Sequence, residues 1–225
     1  MRIGVLGGGA VGQALAEGFR RVGHEATVGI REVTPEALGK ARNQARPLGD
    51  WQAETGVRVV PYAHAAGGAE LVVNATNGAG SLEALRASGA ERLSGKVLVD
   101  VSNPLDFSRG MPPSMLTEYS GATSLAERIQ AEFPETRVVK AFNTVTARVM
   151  AEPSLVPGPH DLFLCGNDAG AKEEVRALAR GLGWESFADM GDLTGARAQE
   201  AMVLVWVALW RASGNPLLGY RVAWG

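Results

Sequence analysis

The chain alternates between short apolar runs and longer mixed stretches. The runs cover residues 3–6, 26–30, 57–60, 71–75, 97–101, 138–142 and 162–165. They are rich in Val, Ile and Leu and barely alternate, which is the pattern of strands buried on both faces. The stretches between them carry helix signals. Ser81 is placed to cap a helix from Leu82 to about Ala90. Ser124 and Glu127 form a capping box ahead of LAERIQAEF. Asn167 or Asp168 can cap AGAKEEVRALARGL, with Gly181 and Gly183 flanking its end. Repeated strand–helix units predict an α/β, Rossmann-like, doubly wound and mostly parallel sheet. Residues 1–225 read as one domain, with a short C-terminal helical extension, about 191–225, packing on it or at a dimer interface.

The strongest motif is GGGAVG, which lies between the first strand and an apolar-faced helix. Gly7, Gly9 and Gly12 fit G-x-G-x-x-G in the context that gives the pattern its meaning. Gly7 permits the tight turn, Gly9 lets the backbone approach a pyrophosphate, and Gly12 lets the helix pack closely on the strand. The helix N-terminus then offers free N–H groups to the phosphates. An Asp or Glu ordinarily ends the second strand and holds the adenine ribose of NAD. Here Ile30 and Arg31 occupy that end, with Arg31 19 residues beyond Gly12. A guanidinium can bond phosphate oxygens in pairs, so the sequence favours NADP over NAD. Glu32 follows directly, and a solvated Arg31–Glu32 pair is the alternative.

Three further strand ends are expected to line the crevice: NATNGAG with Ala75, Thr76 and Asn77, DVSNP with Ser102 and Asn103, and KAFNTVTA with Asn143 and Thr144. These residue types are also the usual ones of turns. Two irregular stretches stand out. Residues 102–115 follow a strand's C-terminal end, where open α/β sheets bind ligands, and residues 151–160 read equally as a surface connection.

The chain has 225 residues and a net charge of -2, with no Lys/Arg cluster, which argues against nucleic acid as a partner. Its longest apolar run, residues 201–210, is about half of a membrane span and reads as a buried helix or subunit contact. MRIGVLG reads directly as a strand and leaves no room for a signal peptide. One cysteine, Cys165, excludes an internal disulfide, fits the cytoplasm and sits in an apolar strand as inert core. His24, His64 and His160 are scattered and lack metal-ligand spacing, so no metal site is expected. No nucleophile motif occurs, and Lys140 is the lone candidate base, with a structural role as its alternative. No catalytic acid–base residue is therefore assigned; hydride transfer between two cofactors needs orientation more than acid–base help. Met202, Trp206 and Trp210 share one helix face, to pack in the core, wall an aromatic pocket or fill a dimer contact.

The blocks MRIGVLGGGAVGQALAEGFRRVGHEATVGIRE, AAGGAELVVNAT, RVVKAFNTV and LFLCGNDAGAKEEV resemble the NADPH-dependent reductases of coenzyme F420 over essentially the whole chain. The resemblance implies a cytoplasmic homodimer that moves hydride between NADPH and the deazaflavin F420. It assigns pyrophosphate binding to Gly7, Gly8, Gly9, Ala10, Val11 and Gly12, and the 2′-phosphate to Arg31. It assigns the nicotinamide to Val145 and the backbone of Ala147. The chain departs from the family pattern at Ile30, Pro35, Asn143 and Thr146, and its glycine loop is one residue shorter. Other acceptors (a flavin, a quinone, a small carbonyl or imine) and a non-catalytic redox sensor remain as alternatives.

Overall fold

The computed structural model describes residues 1–41 and 45–225. Among these, β1 (Arg2–Leu6), β2 (Glu25–Ile30), β3 (Arg58–Pro61), β4 (Leu71–Asn74) and β5 (Val97–Asp100) are followed by a two-stranded hairpin, β6 (Leu105–Asp106) and β7 (Ser114–Met115). Then come β8 (Arg137–Ala141), β9 (Asp161–Gly166) and β10 (Ser186–Asp189). The main sheet has the order β10-β9-β8-β5-β4-β1-β2-β3. Its neighbours run parallel except at β8–β9, which pair antiparallel. The chain leaves β1 in one direction for β2 and β3, and in the other for β4, β5 and β8. The strand order therefore reverses beside β1, the place where such sheets bind ligands.

Helices cover both faces. The first is α1 (Ala10–Arg21), followed by α2 (Pro35–Gly39), α3 (Leu48–Thr55), α4 (Tyr62–Gly68), α5 (Ser81–Ser88) and α6 (Ala90–Leu93). The later ones are α7 (Leu125–Glu132), α8 (Ala147–Ala151), α9 (Ala169–Leu182) and α10 (Ala196–Ser213). One apolar core joins Leu15 and Phe19 of α1 with Trp51, Val149, Val175 and Trp184; the other joins Ala65, Leu85, Leu93, Leu125 and Ile129 with Cys165. Strand residues alternate between the two cores, Val5 facing the first and Leu6 the second. This two-sided burial explains the nearly continuous apolar runs.

Each of the seven apolar runs coincides with a strand. The capping box at Ser124 and Glu127 forms, Asp168 caps α9 through the Ala171 N–H, and Gly183 ends α9 in the left-handed region at φ 104°. Asn167 instead accepts from the Leu193 N–H at 3.0 Å. Ser81 does not act as an N-cap. It is the first residue of α5, fully buried, and its Oγ accepts from Asn74 Nδ2 at 3.1 Å. Two features carry no apolar run: β10, a partly exposed strand at the sheet edge, and the hairpin within residues 102–115. The C-terminal tail lies against the start of β9, where the Asp161 N–H donates to the Tyr220 carbonyl at 2.7 Å. No helix among the described residues is long and apolar enough to cross a membrane.

Candidate functional site

The glycine loop is shaped by two collisions that glycine avoids. Gly7 has φ +116°, and a Cβ there would lie 2.4 Å from the Ala75 carbonyl oxygen. A Cβ on Gly12 would lie 1.8 Å from the Gly7 carbonyl oxygen, so α1 and the turn touch through bare backbone. Gly9 differs: a Cβ there would meet no atom within 4 Å. It is the N-cap of α1, and no side chain caps that terminus. Open space beside an uncapped helix N-terminus is a cradle of the kind a pyrophosphate fills. Gln13 steadies the loop from below; its buried amide donates to the carbonyls of Gly8 at 3.3 Å and Arg46 at 2.8 Å. Sequence reasoning missed Gln13, although a glutamine on the apolar face of this helix was a signal.

A cavity of about 310 Å³ opens at the strand ends. Ten of the residues expected from sequence line it: Ala10 and Val11, then Ala75, Thr76 and Asn77, then Ser102, Asn103, Asn143, Val145 and Ala147. Leu105, Phe107, Thr146 and Met150 complete much of the wall and were not foreseen as site residues, whereas Trp206, which also lines it, takes the pocket-wall role that was one of its expected alternatives. Thr144 is buried and lies outside this lining. No Asp, Glu, Lys, Arg, His or Cys is among the lining residues.

The polar strand ends form one buried network beneath this cavity. Asn74 Nδ2 donates to Asp100 Oδ1 at 2.8 Å, and Thr76 Oγ1 donates to Asn74 Oδ1 at 2.6 Å. Ser102 Oγ donates to Asp100 Oδ1 at 2.7 Å. Asn143 Nδ2 donates to Asn103 Oδ1 at 2.9 Å and to the Gln199 carbonyl at 3.0 Å, while its Oδ1 accepts from Gln199 at 2.8 Å. The amide of Asn143 and the hydroxyl of Ser102 are therefore engaged inside the protein and support the cavity floor. Phe142, between β8 and this loop, is held at φ 65°, where a bulky side chain is strained by about 1–3 kcal/mol. Its ring packs edge-on to Trp184 at 6.4 Å, which anchors that conformation.

Lys140 is not a general base. It is fully buried, with Asp100 Oδ2 at 2.8 Å and Glu200 Oε1 at 3.1 Å. Burial pushes its pKa down, but the carboxylates of Asp100 and Glu200 outweigh this and hold it above the ordinary lysine value. Glu200 also accepts the Leu125 and Ala126 N–H groups at 3.0 and 3.1 Å, so the positive end of α7 shares its charge. Cys165 is inert core as expected: burial raises its thiol to about 12. Among the described residues no cluster of His, Cys, Asp or Glu could hold a metal ion.

Arg31 extends from the end of β2 but does not pair with Glu32. Its Nη2 donates to Glu83 Oε2 in α5 at 2.9 Å. A second hollow, of about 490 Å³, lies on its other side, lined by Arg31, Glu32, Thr34, Glu36 and Lys40. Met202, Trp206 and Trp210 are only half-buried, so this helix face is not core. The core face of α10 carries Ala196, Val203 and Val207 instead. Trp206 and Trp210 stack at 5.5 Å and wall a groove of about 740 Å³ that also touches Gln13, Arg46, Thr146, Ala147 and Arg148. Trp206 Nε1 is buried there without a hydrogen-bond partner. Residues 151–160 border a different cavity, of about 440 Å³, with His160 and Trp184; it shares no residue with the crevice.

Fold and crevice together define a dinucleotide-binding protein of the Rossmann type. A family model described as NADP oxidoreductase, coenzyme F420-dependent, matches residues 2–104. A crystal structure from Arthrobacter sp. FB24, of a protein assigned as an F420-dependent NADP reductase, is 45% identical over 100% of both chains, with a TM-score of 0.92. The chain belongs to the F420-dependent NADP oxidoreductase family. The F420-dependent NADP reductase of Methanocaldococcus jannaschii is 33% identical over 119 residues, 53% of this chain and 52% of that protein. Metalloreductase STEAP3 of Rattus norvegicus is 36% identical over 137 residues, 59% of this chain and 25% of that protein. The chain thus spans between a quarter and about half of the length of these two relatives.

Proposed function

We propose that this protein transfers hydride between NADPH and a deazaflavin of the coenzyme F420 type. The observation that carries this reading is the continuity of two spaces. The cavity at the strand ends and the wider groove beside it share Ala10, Thr146, Ala147 and Trp206. One space suits the nicotinamide, and the adjoining one suits a flat aromatic partner against the indole of Trp206. The two cofactors supply the redox chemistry, and the protein supplies contact and orientation.

In this reading Gly7, Gly8 and Gly9 with Ala10, Val11 and Gly12 hold the pyrophosphate at the N-terminus of α1. Ala75, Thr76 and Asn77 line the ribose path. Asn103, Val145 and Ala147 border the nicotinamide, while Ser102, Asn143 and Thr144 fix that border through the packing beneath it. Arg31 takes the 2′-phosphate. A cavity wall without ionisable side chains suits direct transfer, because no protein proton is needed at the reacting carbon. The lone buried thiol fits a cytoplasmic protein, and exposed Val205 and Leu209 on α10 support pairing of two copies.

Similarity to a metalloreductase over 137 residues supports a shared cofactor module. The acceptor is then chosen by the groove at α10. Stopped-flow mixing with NADPH and F420, followed at the deazaflavin absorbance band, tests the reading. Bleaching of that band with single-turnover kinetics is expected. NADPH oxidation by a flavin or quinone with F420 untouched would overturn the acceptor, and NADPH binding without any turnover would favour a sensor.

A further inference from the structure

The end of β2 carries no acid, but Arg31 there meets one from another part of the chain, Glu83. Glu83 stands in the first turn of α5, where the helix N-terminus favours a carboxylate. In the sheet, β1 lies between β2 and β4, and α5 follows β4. A link from Arg31 to Glu83 therefore passes over the C-terminal end of β1, where the glycine loop begins. That is the adenine-ribose end of the crevice in this fold. The link is a charged contact of 2.9 Å whose side chains are 67% and 64% exposed, so a ligand can reach and replace it.

We propose that Glu83 sets cofactor specificity by acting through Arg31, a reading that rests on NADPH being the cofactor. The guanidinium is held by the Glu83 carboxylate. A 2′-phosphate has to take the guanidinium from it. NADH makes no such demand, and its ribose hydroxyls can donate to the same carboxylate. Glu83 thereby lowers the preference for NADPH that Arg31 creates. Lys40, across the hollow on the α2 side, adds positive charge, whereas Glu32 and Glu36 oppose it. Among the described residues, the acid that Arg31 bonds is Glu83.

The test measures binding of NADPH and NADH to the full chain by quenching of tryptophan fluorescence, in wild type, Glu83→Gln, Arg31→Ala and the double variant. Glu83→Gln is expected to tighten NADPH by about three- to fivefold, the scale of an exposed ion pair, while NADH weakens or holds. In the Arg31→Ala background the NADPH gain should vanish. Equal changes for both cofactors, no change for either, or a gain that survives Arg31→Ala would each overturn the role. A structural part alone would move both cofactors together, and Glu83→Ala repeats the measurement without a side-chain amide. Failure of wild type to bind NADPH would instead overturn the cofactor reading itself.

Discussion

Gly9 and Gly12 are three residues apart and do opposite things. Gly12 is fixed by the fold, because any Cβ there strikes the Gly7 carbonyl oxygen at 1.8 Å. Gly9 has an ordinary extended backbone, φ −79°, and open space around it. Gly9→Ala is therefore expected to fold with an unchanged melting temperature and to lose NADPH affinity by about tenfold or more, about 1.4 kcal/mol, because its methyl occupies the cradle. Gly12→Ala is expected to lower the melting temperature before any ligand is added. Thermal melts with and without NADPH separate the two; a Gly9→Ala protein that binds normally would remove the pyrophosphate assignment. The glycine spacing was legible in sequence. So was the assignment of Gly9 to open approach and Gly12 to packing; the atoms opposite each Cα, such as the Gly7 carbonyl oxygen against Gly12, were not.

Helix α10 ties the elements of the site together. Its N-terminal half inserts Gln199 and Glu200 among the ends of β5 and β8 and the start of α7, and its outer face presents Trp206 to the groove. Removing the cation at the centre of this arrangement leaves two buried carboxylates facing each other. Lys140→Met is expected to cost about 3–5 kcal/mol in urea denaturation. The Lys140 pKa is raised, so its contribution is complete below the ordinary lysine value and fades only as pH rises through the higher folded value. The link between α7 and α10 behaves in the opposite sense. The Arg197 guanidinium beside Glu127, together with Ser124, holds that carboxyl below its usual range against the effect of burial. The unfolded chain binds this proton more readily, so stability is present above the ordinary glutamate value and falls as pH drops through the lower folded value. Arg197→Ala should flatten the fall in stability measured between about pH 5 and pH 3. An unaltered slope would show that this pair does not link the helices.

At the scale of the whole molecule, the sheet gathers residues from distant parts of the sequence along one edge. Ala10, Thr76, Asn103 and Val145 follow four different strands and meet because parallel strands end on the same side. Strand runs, the glycine loop, the capping box of α7 and the cap of α9 were readable because each depends on neighbours a few residues away. The sequence by itself determined the parallel α/β architecture and the glycine turn between β1 and α1, since apolar runs and glycine spacing are local consequences of burial and backbone sterics. The tertiary structure decided the rest. It turned Lys140 from a candidate base into the centre of a buried charge cluster, because Asp100 lies 40 residues away along the chain. It placed Trp206 beside the cavity at the strand ends rather than in the core. It also gave Arg31 a partner 52 residues away in Glu83. Charge and shape act through space, and only the folded chain specifies which groups share that space.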